Sequence, residues 1–143
     1  MNTADQYLKA IYLVQRAEDG PAATGAVADR LGVSPASATE MIGKLQAESL
    51  VEHEKYKGVD LTDEGIARAR AALSTYCIIE RFLGDVLDVE DFRAEARELE
   101  SVIDETVADR LDTIIDRRGE CPDCFDPDRD ACEYLEVPVA VED

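Results

Sequence analysis

Four residues, Gly32-Val33-Ser34-Pro35, do most to limit the folds open to this chain. Glycine reaches the left-handed conformation that ends a helix. Serine accepts a hydrogen bond from the free N–H groups that open the next helix, and proline suits that helix's first position. The segment therefore predicts a tight turn between two short helices. Upstream, a helix from about Thr24 directs Val27, Ala28 and Leu31 inward. Downstream, Ala38, Met41, Ile42 and Leu45 fall at i, i+3, i+4 and i+7, the apolar stripe of a helix packed on one side. Its other side carries Ala36, Ser37, Thr39, Glu40, Gly43 and Lys44, small or polar residues that would enter a DNA major groove without steric obstruction.

The flanking segments extend this pattern. Thr3-Ala4-Asp5-Gln6 has the form of a capping box, and Ala4, Tyr7, Leu8, Ile11 and Val14 follow at helical spacing until Asp19-Gly20-Pro21. After the helix that Ser34 and Pro35 open, residues 50–56 and 59–61 predict two short strands around Lys57-Gly58. Helix, helix, turn, helix and a lysine-bearing hairpin make a winged helix-turn-helix domain over residues 1–65. Ser34, Ala36, Ser37, Thr39 and Glu40 are the candidate base- and phosphate-facing positions. Ser37 and Thr39 would donate or accept at base edges, while Glu40 is confined to donors such as the cytosine amino group. Lys44, Lys55 and Lys57 are candidate phosphate contacts, and double-stranded DNA is the expected partner.

Charge alone argues the other way, since 33 acidic residues against 15 basic give a net charge of −18, which repels phosphate. Only four of the basic residues are lysines (Lys9, Lys44, Lys55 and Lys57), eleven are arginines, and tryptophan is absent. That composition fits a protein of a halophilic archaeon, where multimolar salt screens long-range repulsion. Distribution is then more informative than the total. Residues 1–66 hold eleven acids and six bases, net −5, whereas residues 67–143 hold twenty-two and nine, net −13, and every lysine lies in the first part. No apolar run approaches the length of a membrane span, and the polar N-terminus lacks a signal-peptide layout, so a cytoplasmic protein without membrane partners is expected.

The runs Val33-Ser34-Pro35-Ala36-Ser37-Ala38-Thr39-Glu40-Met41 and Glu54-Lys55-Tyr56-Lys57-Gly58-Val59-Asp60-Leu61-Thr62 resemble the diphtheria-toxin-repressor family of iron- and manganese-dependent transcription regulators, most closely its two-domain manganese-regulator branch. The likeness continues through Ile78-Ile79-Glu80-Arg81-Phe82-Leu83 and Leu99-Glu100-Ser101-Val102-Ile103-Asp104-Glu105, covering about residues 5–118. It implies a mainly α protein, the winged helix-turn-helix domain followed by an α-helical dimerisation and metal-sensing domain over 66–118; beyond the likeness, residues 119–143 read as an acidic, cysteine-containing tail. It also implies a homodimer that binds palindromic promoter DNA in iron or manganese homeostasis.

Local patterns agree with two long helices in the second domain. One would run from a Thr62 cap to about residue 87, with Ile66, Ala69, Leu73, Tyr76 and Cys77 inward and Asp88 opening the next element. The other, from 90 to about 117, would turn Phe92, Ala96, Leu99, Ile103, Val107, Leu111 and Ile114 to one side. With little else to cover them, these faces suggest burial against a second subunit.

The resemblance implies a divalent ion between the first helix and the dimerisation helices, but the ligand positions are mostly changed. Gln6 stands at the first-helix position, with Lys9 one turn on; Tyr76 replaces a histidine four residues before the retained Glu80. The family's Glu-His pair becomes Glu100-Ser101, and two further positions become Arg93 and Arg97. Either Glu80 and Glu100 form a residual manganese or iron site, or they pair with arginines.

A separate constellation follows in Cys121-Pro122-Asp123-Cys124 and Cys132. Three thiols in so short a segment could hold zinc, with Cys77, Asp123, Asp126 or His53 as a fourth ligand, or form a redox switch or sensor; inert cysteines are the third reading. Two rivals to a metal-gated regulator stay open: a winged-helix protein-interaction module of the transcription machinery, and a thiol- or zinc-based sensor that no longer uses the family site. A single histidine, no nucleophile motif and no phosphate-binding glycine loop argue against an enzyme or a small organic substrate.

Overall fold

The computed structural model describes residues 3–54 and 57–115, together with the backbone of 125–126 and 131–132. Its elements are helices α1 (Thr3–Glu18), α2 (Thr24–Leu31) and α3 (Pro35–Ala47), strands β1 (Val51–Glu54) and β2 (Gly58–Leu61), helices α4 (Asp63–Arg81), α5 (Phe92–Leu99) and α6 (Glu105–Asp112), and strands β3 (Phe125–Asp126) and β4 (Ala131–Cys132). They fall into two units, residues 2–72 and 73–143, so the division lies within α4.

In the N-terminal unit the turn-forming residues act as their chemistry predicts. Gly32 ends α2 at φ +69°, and the turn N–H groups of Gly32 and Val33 return to the last carbonyls of the helix. Ser34 caps α3 by accepting the Ser37 backbone N–H at 3.1 Å, with Pro35 in the first turn. The core joins Tyr7, Leu8, Ile11 and Val14 of α1 to Val27 and Ala28 of α2, Ala38, Ile42 and Leu45 of α3, and Leu50, Val51 and Val59 of the hairpin. At roughly 1.5–3 kcal/mol for each large apolar side chain removed from water, this cluster is the main source of the unit's stability.

The hairpin pairs Val51 with Leu61, Glu52 with Asp60, His53 with Val59 and Glu54 with Gly58. Ala22, in the link between α1 and α2, adds a bridge to Val59 through N–H···O bonds of 2.9 and 2.8 Å. Gly58 has φ +91°, and a Cβ there would lie 2.6 Å from the Ala22 carbonyl oxygen, so both its conformation and its neighbour require glycine. Gln15 of α1 fixes the second strand from behind, donating to Asp60 Oδ1 at 2.8 Å and accepting the Leu61 N–H at 3.2 Å. Two α4 arginines return to α1, Arg68 to Asp5 at 2.7 Å and Arg70 to the Tyr12 hydroxyl at 2.9 Å.

The helices that follow the wing depart from the expected long pair. α4 starts at its Thr62 cap, but Ile66 is 38% exposed while Ala69, Leu73, Tyr76 and Cys77 are buried as expected. The helix continues through one wider π-helical turn, Phe82–Val86, closed by Leu87 N–H to Phe82 O at 3.1 Å. A side chain at Gly84 would be 3.3 Å from the Phe92 ring, so the missing Cβ lets that ring pack there. Asp88, at φ +56°, belongs to the stop of this helix and not to the start of the next.

The second predicted helix is two. α5 ends at Leu99, and the N–H groups of Val102 and Ile103 both bond to the Leu99 carbonyl. Asp104 then caps α6, accepting the Val107 N–H at 2.9 Å. An apolar period of three and four continues through such a break, which is why spacing alone misses it. After the restart the buried residue is Ala108, with Val107 and Ile114 exposed. β3 and β4 pair antiparallel, Phe125 with Cys132 and Asp126 with Ala131.

Candidate DNA interface and buried carboxylate

α3 separates its residues as an interface helix should. Ala38, Ile42 and Leu45 are fully buried and Met41 half-buried, which fixes the rotation of the helix on the core. Ala36, Ser37, Thr39, Glu40, Gly43 and Lys44 are all exposed. Ser34 is exposed too, but its hydroxyl both accepts the Ser37 N–H and donates to Ser37 Oγ at 3.0 Å. Its part in the structure is to order the first turn.

In the wing, Lys57 is exposed and its Nζ lies 3.3 Å from Glu54 Oε1, so its charge is partly met within the hairpin. The register also sets Glu52 opposite Asp60, two like charges on one face. Lys55 lies outside the described residues. Sequence reading missed the service of Gln15, whose anchoring of β2 joins positions 45 and 46 residues apart.

A different chemistry occupies the C-terminal unit. Glu80 is fully buried on α4. Its Oε2 accepts the Tyr76 hydroxyl at 3.0 Å, and Arg93 Nε of α5 lies 3.6 Å from that same oxygen. Tyr76 is therefore both a core residue and a partner of the carboxylate. Glu100 is buried at the C-terminal end of α5, whereas Arg97 is exposed. Arg81 is also buried, 3.6 Å from Asp85 one turn on, a pair the sequence reading missed although its i,i+4 spacing is the signal for it.

Cys77 is buried on α4, and His53 is half-buried on β1. Cys121 and Cys124 lie outside the described residues, and Cys132 is described by its backbone alone.

The profile for the iron-dependent repressor N-terminal DNA-binding domain matches residues 1–59, and that for the iron-dependent repressor metal-binding and dimerisation domain matches residues 62–125. An uncharacterised helix-turn-helix transcriptional regulator of Methanocaldococcus jannaschii is 30% identical over 115 residues, 79% of this chain and 92% of that protein. The chain belongs to the iron-dependent repressor family.

This repressor-family chain is also 26% identical over 123 residues to the transcriptional regulator MntR of Listeria welshimeri, covering 85% of this chain and 86% of that one. Among solved structures, it superposes on ScaR with bound zinc at a TM-score of 0.66 and 30% identity, and on the metal-dependent regulator MtsR at 0.69 and 31%. These alignments cover 79% and 78% of this chain but 53% of either structure, so the chain spans about half the length of these solved regulators. The family consists of transcription regulators that bind divalent metals such as manganese or iron, with DNA-binding and dimerisation domains. No described helix is long and apolar enough to cross a membrane.

The metal-binding half of the family description can be tested against the residues present. A hard divalent cation wants about six oxygen or nitrogen donors. Among the described residues no three His, Cys, Asp or Glu side chains converge on a point that could hold one. The retained Glu80 faces a guanidinium. The donors among the described residues do not fit a manganese or ferrous ion at Glu80 and Glu100, and Glu80 has Arg93 beside it.

Proposed function

We propose that this repressor-family protein is a homodimeric regulator of palindromic promoter DNA in iron or manganese homeostasis, acting in the cytoplasm of a halophilic archaeon. The observation that carries the reading is the exposed face of α3, where Ala36, Ser37, Thr39, Glu40, Gly43 and Lys44 are held outward by buried Ala38, Ile42 and Leu45. In this reading Ser37, Thr39 and Glu40 read base edges, Ala36 and Gly43 keep the approach open, and Ser34 holds the helix start beside the DNA backbone. Lys44, Lys55 and Lys57 supply phosphate contacts. The exposed apolar residues Val86, Leu87, Val102, Val107 and Ile114 of the C-terminal unit support a second copy of the chain as the dimer partner.

Chromatin immunoprecipitation with the native chain tests this: discrete peaks over palindromes are expected, while a signal spread over all active promoters would favour a protein-interaction module. Lys44→Glu should lower binding to every enriched fragment about equally, by about tenfold or more in vitro, because a phosphate contact carries no sequence information. Loss confined to particular sequences would contradict that assignment.

A second proposal concerns the tail. The pairing of Cys132 with Phe125, the residue next in sequence to Cys124, supports a zinc clip on Cys121, Cys124 and Cys132. Elemental mass spectrometry of protein purified without chelator should find zinc that a Cys121→Ser/Cys124→Ser variant lacks. Equal metal in both would exclude the clip.

A further inference from the structure

A carboxylate withdrawn from water keeps its charge only where a cation or hydrogen-bond donors face it. Glu80 is withdrawn completely, at 0% exposure, in the part of the chain that the family profile assigns to metal binding. Two side chains face one of its oxygens. Tyr76, one helical turn earlier, donates its hydroxyl to Oε2 at 3.0 Å, and Arg93 brings Nε to 3.6 Å. Arg93 is itself largely covered, its side chain 26% exposed, and it enters from α5, so the pair ties two helices of the unit together.

A guanidinium is a permanent cation in proteins. A divalent ion bonded to Glu80 Oε2 would sit within a few ångströms of that permanent charge. At Oε2 it would also have to displace the tyrosine hydroxyl; among the described residues Oε1 accepts no hydrogen bond, but an ion there would still sit on the same carboxylate and meet the same guanidinium charge. We propose that the Arg93 guanidinium fills at Glu80 the electrostatic role that a divalent cation would otherwise fill, so that the unit folds, and the regulator binds DNA, without a divalent effector at this carboxylate. Competence for DNA rests on the reading of α3 given above; the replacement of the cation does not.

The purified full-length chain, titrated with Mn(II) and followed by the electron paramagnetic resonance of the free ion, should bind none at Glu80 at about 100 μM, and its Tm should not move with Mn(II). Stoichiometric Mn(II) binding abolished by Glu80→Gln would overturn the proposal. Arg93→Ala strands a buried charge and should lower Tm by about 10 °C or more. Adding Glu80→Gln removes that charge and should recover at least half of the loss. An Arg93→Ala protein as stable as the parent, or no recovery in the double variant, would equally overturn it. In cells, the immunoprecipitation peaks should persist when manganese and iron are withdrawn. Peaks present only with metal would overturn this proposal, whereas no discrete peaks in either medium would overturn the DNA reading and leave the Mn(II) titration to decide the cation's role.

Discussion

Gly65→Ala will destabilise the protein by about 3 kcal/mol, although helix propensity alone favours the substitution by about 1 kcal/mol. Gly65 is the third residue of α4, and its N–H donates to the capping Thr62 Oγ1 at 3.1 Å. Thr62 in turn is held by the chain before the wing, its hydroxyl donating to Ser49 O at 2.8 Å and its N–H to Leu50 O at 3.0 Å. The helix start is thus drawn against the Leu50 backbone. A Cβ on Gly65 would lie 2.1 Å from Leu50 O, 3.1 Å from its carbonyl carbon and 3.2 Å from Leu61 Cδ2. Two of these atoms are backbone, so relief requires moving α4 or the entry to β1 and breaking the cap. Gly43→Ala is the control, because nothing lies within 4 Å of its Cβ position; there propensity should win by about 0.5–1 kcal/mol. Urea unfolding of the three proteins at constant high salt measures both effects, and a Gly65→Ala midpoint at or above that of the parent would refute the argument.

The second large effect is on salt. A DNA-binding protein with about six to ten phosphate contacts ordinarily loses roughly a thousandfold or more in affinity between 50 and 200 mM salt, through counterion release. Here affinity is expected to stay flat or rise from low to multimolar KCl. The whole chain carries −18, and its first 66 residues −5, so approach to phosphate is repulsive until screened. The wing adds two local reasons. Lys57 is held at 3.3 Å by Glu54, a pair with side chains 76% and 67% exposed, so salt weakens it and frees the lysine. Glu52 stands opposite Asp60, and screening relieves that repulsion within the hairpin. Fluorescence anisotropy with a labelled fragment from the immunoprecipitated peaks, from about 0.2 to about 3 M KCl, gives the sign. A steep monotonic fall would refute both the expectation and the halophilic reading behind it.

Features settled by neighbours in sequence were legible before any coordinates. Gly32, Ser34 and Pro35 stop one helix and start another through bonds that reach three to five residues, and the apolar period of α3 separates its core face from its outer face. The same local logic failed between α5 and α6. Asp104 restarts a helix that spacing alone would continue, and this changes which residues are covered.

The carboxylate cluster shows the same limit. The family resemblance implied that a histidine ligand had become Tyr76 and two further ligand positions Arg93 and Arg97, and left open whether Glu80 kept a metal or gained an arginine. Choosing between these required distances across two helices: Arg93 lies beside Glu80, while Arg97 is exposed.

By itself, then, the sequence determined the helix-turn-helix, its exposed small-residue face and the lysine-bearing wing, all consequences of short-range bonding, periodicity and side-chain chemistry, while the loss of the expected ligand set followed from the family resemblance. The tertiary structure alone decided that Gly58 and Gly65 cannot be replaced, that Gln15 holds the wing, and that Glu80 is answered by Arg93. Each depends on atoms brought together from positions 13 to 46 residues apart, and no local pattern encodes which distant backbone or charge will arrive.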